Sequence, residues 1–215
     1  MFRFISIFDP AISKDEGTNT SAAWTDANGI VYPTFTRGEN ANVYILGEDG
    51  EYEIGKVWPY LPGVYSDDLI QDDSDDLWNN NIGQFHSNVV FPDFFKPETY
   101  DWWKFEIEQF YSNFTGNGSG LHFDGIWIDM NEPASFTAGR PGEDGFNQGI
   151  NGCGHDDHGF NHPPYIPRAI REGQNQFVSL FEKTICMNSK QHNPVTNHEE
   201  YHYNLHRKGF KYCQL

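Results

Sequence analysis

Three carboxylates occupy positions where a carboxylate could do chemistry: Asp129, Glu132 and Asp9. The stretch Asp124-Gly125-Ile126-Trp127-Ile128-Asp129-Met130-Asn131-Glu132-Pro133 opens on a glycine, passes through a short apolar run and reaches an aspartate before Asn-Glu-Pro stops it. That pattern predicts a buried strand with an acidic group at its C-terminal end. Side chains alternate along a strand, so Trp127 and Asp129 share one face while Ile126 and Ile128 share the other. Phe4-Ile5-Ser6-Ile7-Phe8-Asp9-Pro10 has the same grammar, with Ile5, Ile7 and Asp9 on one face. In an α/β barrel both aspartates would stand at the carboxyl ends of strands, where such barrels carry their active sites. Strand-final aspartates also cap helices and form turns, so pattern alone leaves Asp9 open.

The elements that must position these groups follow from the intervening sequence. Asp9 and Asp129 lie 120 positions apart, far more than the roughly 30 residues of one βα unit. An insertion over about residues 14–90 is expected. Residues 14–56 are rich in Gly, Asn, Thr and acids, with short strands expected near Val43-Leu46 and Glu51-Gly55; residues 66–84 read as an acidic loop. Asp72-Asp73-Ser74-Asp75-Asp76 has Leu77 where a calcium loop needs glycine, so it reads as a solvated loop. Pro97 and Glu98 suit a helix start, and Trp103, Ile107, Phe110 and Phe114 recur at helical spacing, which marks the tryptophans here as core. Thr115-Gly116-Asn117-Gly118-Ser119-Gly120 then links into the Asp129 strand, and a long loop is expected over about 137–200. Asp124, at the opposite end of that strand from Asp129, reads as structural.

Bulk properties narrow the classes. The 215 residues carry 14 Lys+Arg against 31 Asp+Glu, a net charge of -17, which opposes binding to a phosphate backbone. The 16% aromatic content argues against disorder. Cys153, Cys186 and Cys213 form no CxxC pair, so a thiolate zinc site is not indicated, and one disulfide would fit an oxidising compartment. His155-Asp156-Asp157-His158 lacks a third ligand, and between His202 and His206 the residue Tyr203 stands where a zinc protease needs glutamate. Asn19, Asn113 and Asn117 head glycosylation sequons, about as many as chance supplies. The apolar start, Met1 to Phe8, is too short for a secretory leader, and no run reaches membrane-spanning length.

The run Gly125-Ile126-Trp127-Ile128-Asp129-Met130-Asn131-Glu132 resembles the signature of glycoside hydrolase family 31, the group of maltase-glucoamylase, sucrase-isomaltase and lysosomal α-glucosidase. Phe8-Asp9-Pro10-Ala11-Ile12-Ser13, Phe35-Thr36-Arg37-Gly38, Gly55-Lys56-Val57-Trp58-Pro59 and Phe91-Pro92-Asp93-Phe94-Phe95 agree in order with that family. So do Trp102-Trp103, Pro163-Pro164-Tyr165-Ile166-Pro167, Lys183-Thr184-Ile185-Cys186-Met187 and His202-Tyr203-Asn204-Leu205-His206. The likeness runs from residue 2 to about 206; residues 207–215 look non-homologous, as read-through would leave them.

The resemblance implies a retaining α-glucosidase on a (β/α)8 barrel, of which this chain holds about strands 3 and 4 with the inserted subdomain. It places the nucleophile at Asp129, a sugar-binding carboxylate at Asp9, and lining residues at Trp58, Trp127 and Met130. It pairs Cys153 with Cys186 in a disulfide, and it implies a carbohydrate ligand, no cofactor and no metal. Secreted, membrane-anchored or lysosomal placement belongs to the parent enzymes. The family's acid/base aspartate lies in a downstream Gly-Asp-Asn segment that is absent here, so the chain alone is expected to be inactive. Glu132 is an alternative acid, because another group of barrel glycosidases carries its acid/base in Asn-Glu-Pro. The rival reading is a non-catalytic product that binds sugar or pairs with a full-length enzyme.

Overall fold

The computed structural model describes residues 2–14, 33–59, 86–113, 120–131, 133–135, 153, 158–161 and 184–207. In chain order these form β1 (Ile5–Phe8), β2 (Ile12–Ser13), α1 (Pro33–Asn40), β3 (Ile54–Pro59), β4 (His86–Val90), α2 (Pro97–Asn113), β5 (Gly125–Ile128), β6 (Lys190–Asn193), β7 (His198–Tyr201) and α3 (His202–Arg207). Three sheets result: a parallel pair β1-β5, an antiparallel sheet ordered β2-β4-β3, and an antiparallel hairpin β6-β7. Together they make a partial α/β structure, with no closed barrel among the described residues.

The core does not lie under the strand that carries Asp129. It gathers Ile12, Phe35, Val43, Tyr44, Ile45, Val57, Val89, Val90, Phe91, Phe94, Trp102, Trp103 and Ile185, most of them from residues 35–94, with two from α2. The strand expected at Val43-Leu46 is three isolated bridges, Tyr44 to Pro92, Leu46 to Tyr52 and Leu46 to Lys190, and the second strand starts at Ile54 and runs on to Pro59. Hydrogen bonding to Phe91 and the hairpin replaces a continuous ladder there: Ile45 N donates to Phe91 O at 2.9 Å and Lys190 N to Leu46 O at 2.7 Å.

Helix α1 is short and polar, so periodicity does not announce it; three contacts hold it. Phe35 stacks on Tyr44 with centroids 5.5 Å apart. Gly38 leaves room for the same tyrosine, since a Cβ there would stand 2.3 Å from Tyr44 Oη. Arg37 donates through Nε and Nη2 to the two carboxylate oxygens of Glu106 on α2, each at 2.6 Å, and Thr34 Oγ1 adds a bond of 2.8 Å. The expected helix is present as α2, and Trp102 and Trp103 are both buried in the core.

Asp93 is a buried junction. Its carboxylate accepts from Phe95 N at 3.2 Å, ahead of α2, and from His192 N at 2.6 Å in β6, while its own N–H donates to Val43 O at 2.7 Å. Burial pushes its pKa up to about 6 despite these donors and the nearby Lys96.

Two predictions follow from these joints. Arg37→Met should lower the unfolding free energy by about 3 kcal/mol in urea titration, because it strands the nearly buried Glu106 carboxylate; Arg37→Met with Glu106→Met should recover most of that loss. Asp93 binds its proton more tightly when folded than when unfolded, so its contribution is full below the unfolded value of 3.8 and lost as pH rises toward about 6. Melting curves between these limits should show the wild type gaining stability on acidification relative to Asp93→Asn.

Candidate active site

Strands β1 and β5 pair in parallel with Ile5 opposite Gly125, Ser6 opposite Ile126, Ile7 opposite Trp127 and Phe8 opposite Ile128. Backbone bonds run past both ends: Asp124 N donates to Phe4 O at 2.6 Å and Asp129 N to Phe8 O at 3.4 Å. One further step of this register sets Asp9 beside Asp129 at the carboxyl end of both strands. Matched residues of a parallel pair face the same way, so Ile7, Asp9, Trp127 and Asp129 share a face. Phe8 points to the other, where it meets Phe110 of α2 and Phe123 edge-on, each at 5.5 Å. The helix therefore covers one side of the pair and both carboxylates stand on the opposite side.

Asp124 pins this register from the far end. Its carboxylate accepts from Phe4 N at 2.8 Å and from Arg3 Nη1 at 3.3 Å, tying the start of β1 to the start of β5. The expectation of a buried strand is corrected: Ile126, Trp127 and Ile128 are 40%, 58% and 47% exposed. Among the described residues β5 has one strand partner, so apolar content alone cannot bury it.

The turn after β5 fixes the Asp129 side chain. Met130 takes φ of 54°, a left-handed conformation, and its N–H donates to Asp129 Oδ1 at 2.9 Å. Its side chain packs against the core, and its carbonyl accepts from Ala134 N at 3.1 Å. Pro133 O accepts from Thr184 Oγ1 at 2.7 Å, and Ala134 forms an antiparallel bridge with Thr184. Two residues on, Cys186 is disulfide-bonded to Cys153 across a Cα–Cα distance of 5.4 Å. Its N–H donates to the buried Glu53 carboxylate at 3.1 Å.

Ser135 is buried against β3, where Gly55 has no side chain to exclude it; a Cβ at Gly55 would lie 2.8 Å from Ser135 Oγ and 2.6 Å from the Phe91 ring. Sequence patterning singles out Asp9, Trp127 and Asp129, and the resemblance adds Met130; the structure brings these to one end of the strand pair, but neither reading names Thr184, Gly55 and Ser135 behind them as site residues. The signal for two of these was present, since Gly55 and Thr184 fall inside motifs that carry the family resemblance.

Trp58 belongs to β3 beside an irregularity between Val57 and Pro59, and its side chain lies outside the described residues. Glu132, Asn19 and Asn117 also lie outside them, as does the side chain of Asn113 at the end of α2. Among the described residues no three His, Cys, Asp or Glu side chains gather as metal ligands, and no helix is long and apolar enough to cross a membrane. An open groove of about 410 Å³ lined by Ile107, Tyr111, Ser112 and Phe123 runs along α2. It lies on the Phe8 side of the strand pair, away from both aspartates.

Two carboxylates thus stand at the carboxyl end of a parallel strand pair, the end at which α/β barrels carry their active sites. Residues 1–211 match the model of the glycosyl hydrolases family 31 TIM-barrel domain, and the chain belongs to that family. It is 37% identical over 205 residues to a human protein described as probable maltase-glucoamylase 2, covering 95% of this chain and 7% of that one. It is 34% identical over 190 residues to human intestinal sucrase-isomaltase (88% and 8%) and 30% identical over 204 residues to bovine lysosomal alpha-glucosidase (95% and 14%). The chain thus spans a small part of these relatives. Among solved structures, a glucosidase II alpha subunit aligns with 62% of this chain and 10% of its own, at a TM-score of 0.35 and 20% identity.

The close contact at Gly55 gives a direct check. Gly55→Ala should cost about 1–3 kcal/mol of stability by urea titration, because the Phe91 ring and the Ser135 hydroxyl it would meet are both buried. Gly125→Ala, whose added methyl would meet nothing closer than Ile5 Cγ1 at 3.8 Å, should be tolerated.

Proposed function

We propose that the chain carries the nucleophile side of a retaining α-glucosidase site, with Asp129 as nucleophile and Asp9 binding the sugar. In this reading β1 and β5 are about the third and fourth strands of the barrel, residues 14–90 are an insertion between them, and 137–200 form the loop that follows. The observation that supports it is the parallel register, whose next step brings Asp9 and Asp129 together at the carboxyl end of both strands, the end at which barrels of this kind carry their active sites. The choice of α-linked glucose rests on the named relatives.

The chemistry is a double displacement. An Asp129 carboxylate oxygen bonds to the anomeric carbon as the bond from that carbon to the leaving oxygen breaks; the leaving oxygen takes a proton from an acid. Water then attacks the same carbon, gives up a proton to the conjugate base, and the ester bond breaks to restore the original anomer. The second carboxyl must stand about 5–5.5 Å from the nucleophile. Asp9 is assigned to the sugar hydroxyls, and the exposed Trp127 ring and Met130 to the apolar face of the sugar. No Gly-Asp-Asn segment occurs in the sequence, and the reading has the chain alone turning over ordinary glucosides negligibly.

A substrate that needs no acid tests this. With α-glucosyl fluoride and sodium azide, fluoride leaves unprotonated and azide replaces activated water. The expected product is α-glucosyl azide, its formation reduced by about a thousandfold or more in Asp129→Asn. Asp9→Asn should act mainly on KM. Product formation indifferent to Asp129, or azide product of inverted configuration, would contradict the assignment. Sugar binding without any Asp129-dependent product would favour a non-catalytic sugar-binding role.

A further inference from the structure

We propose that Thr184, to which neither the strand patterns nor the resemblance gives a role, is a positioning residue for the nucleophile; this rests on the assignment of Asp129 above. The connection runs from the Thr184 hydroxyl through backbone groups to the Asp129 carboxylate. Thr184 Oγ1 donates to Pro133 O at 2.7 Å, and the Thr184–Ala134 bridge lays the two segments side by side. Ala134 N donates to Met130 O at 3.1 Å, and Met130 N donates to Asp129 Oδ1 at 2.9 Å. The hydroxyl therefore acts three links from the carboxylate it orients.

The conformation this holds needs holding. Met130 is in the left-handed region, which a residue with a long side chain adopts at a cost of about 1 kcal/mol or more. In that conformation the Met130 carbonyl accepts from Ala134 N at 3.1 Å while its N–H donates to Asp129 Oδ1 at 2.9 Å. A single bond from a loose segment could not enforce it, but Thr184 is itself anchored. Ile185 is buried in the core, Cys186 is tied to Cys153 and to Glu53, and Met187 N donates to the buried Asn161 Oδ1 at 2.7 Å. On the opposite flank Ser135 is locked against Gly55. The turn behind the nucleophile is thus clamped between the inserted sheet and the 184–187 segment. The N–H held on Oδ1 fixes the plane of the carboxylate, and nucleophile aim is worth much: a misplacement of about 1 Å costs on the order of a hundredfold in rate.

Amide hydrogen exchange on this chain tests the brace, and azide-dependent turnover of α-glucosyl fluoride tests its consequence. Thr184→Val keeps the branched shape and removes the donor; Thr184→Ser restores it. Thr184→Val should speed exchange at Met130 and Ala134 by about tenfold or more while the core amides of Ile45 and Asp93 stay unchanged. It should lower kcat by about tenfold or more at constant KM, and Thr184→Ser should recover both. Unchanged exchange at Met130 and Ala134, or acceleration spread evenly over the chain, overturns the proposal. So does Thr184→Val with wild-type kcat. If the wild type shows no Asp129-dependent turnover, the nucleophile assignment itself fails and takes this inference with it, whatever the exchange rates.

Discussion

The parallel pairing of β1 with β5 is the constraint on which the site depends. Four matched residue pairs join segments that lie 120 positions apart in the chain, and a one-residue slip would turn either aspartate to the opposite face. The register is held at one end by Asp124 receiving Phe4 N–H and the Arg3 guanidinium, and at the other by Asp129 N–H on Phe8 O. Phe8, wedged between Phe110 and Phe123, fixes which side faces the helix. The same alternation that sends Phe8 inward sends Asp9 outward.

Stability and chemistry are supplied by different parts of the chain. The core is assembled mainly from residues 35–94 and α2, while the strand pair lies at its margin with Ile5, Ile7 and Trp127 more than half exposed. Most motifs that carry the family resemblance serve that core and not the site. Phe35 and Gly38 accommodate Tyr44, Arg37 neutralises Glu106, Phe91 and Phe94 are buried, and Asp93 joins three segments. The sheet that holds β3 thus backs the turn after β5, with Gly55 against Ser135 and Glu53 bonded to Cys186 N.

How much of this could be read in advance follows from the range of the interactions. The α2 periodicity and the two strands ending in aspartate are local patterns, and both were legible. The pairing of those strands was legible only through their shared grammar and the resemblance, as was the Cys153–Cys186 disulfide. Burial of β5 was misjudged because an apolar run states what a strand needs, not what is available to cover it. Helix α1 was invisible because its stability comes from Glu106, some seventy residues away, and not from its own sequence. The β6-β7 hairpin was hidden in a polar stretch, its turn set by Asn193 Oδ1 accepting from Val195 N and Thr196 N. The bond from the Thr184 hydroxyl to the Pro133 carbonyl is a long-range contact that no spacing rule anticipates.

The central claim is that Asp129 is the carboxylate that bonds to the sugar. Incubation with a fluorinated α-glucosyl fluoride, which forms the glycosyl ester and releases it slowly, followed by peptide mass mapping, addresses that claim atom by atom. The account predicts one adduct of a single fluorosugar, located on Asp129 and absent from Asp129→Asn. An adduct on Glu132, Asp124 or Asp9, or no adduct under conditions that label a family 31 α-glucosidase, would contradict it.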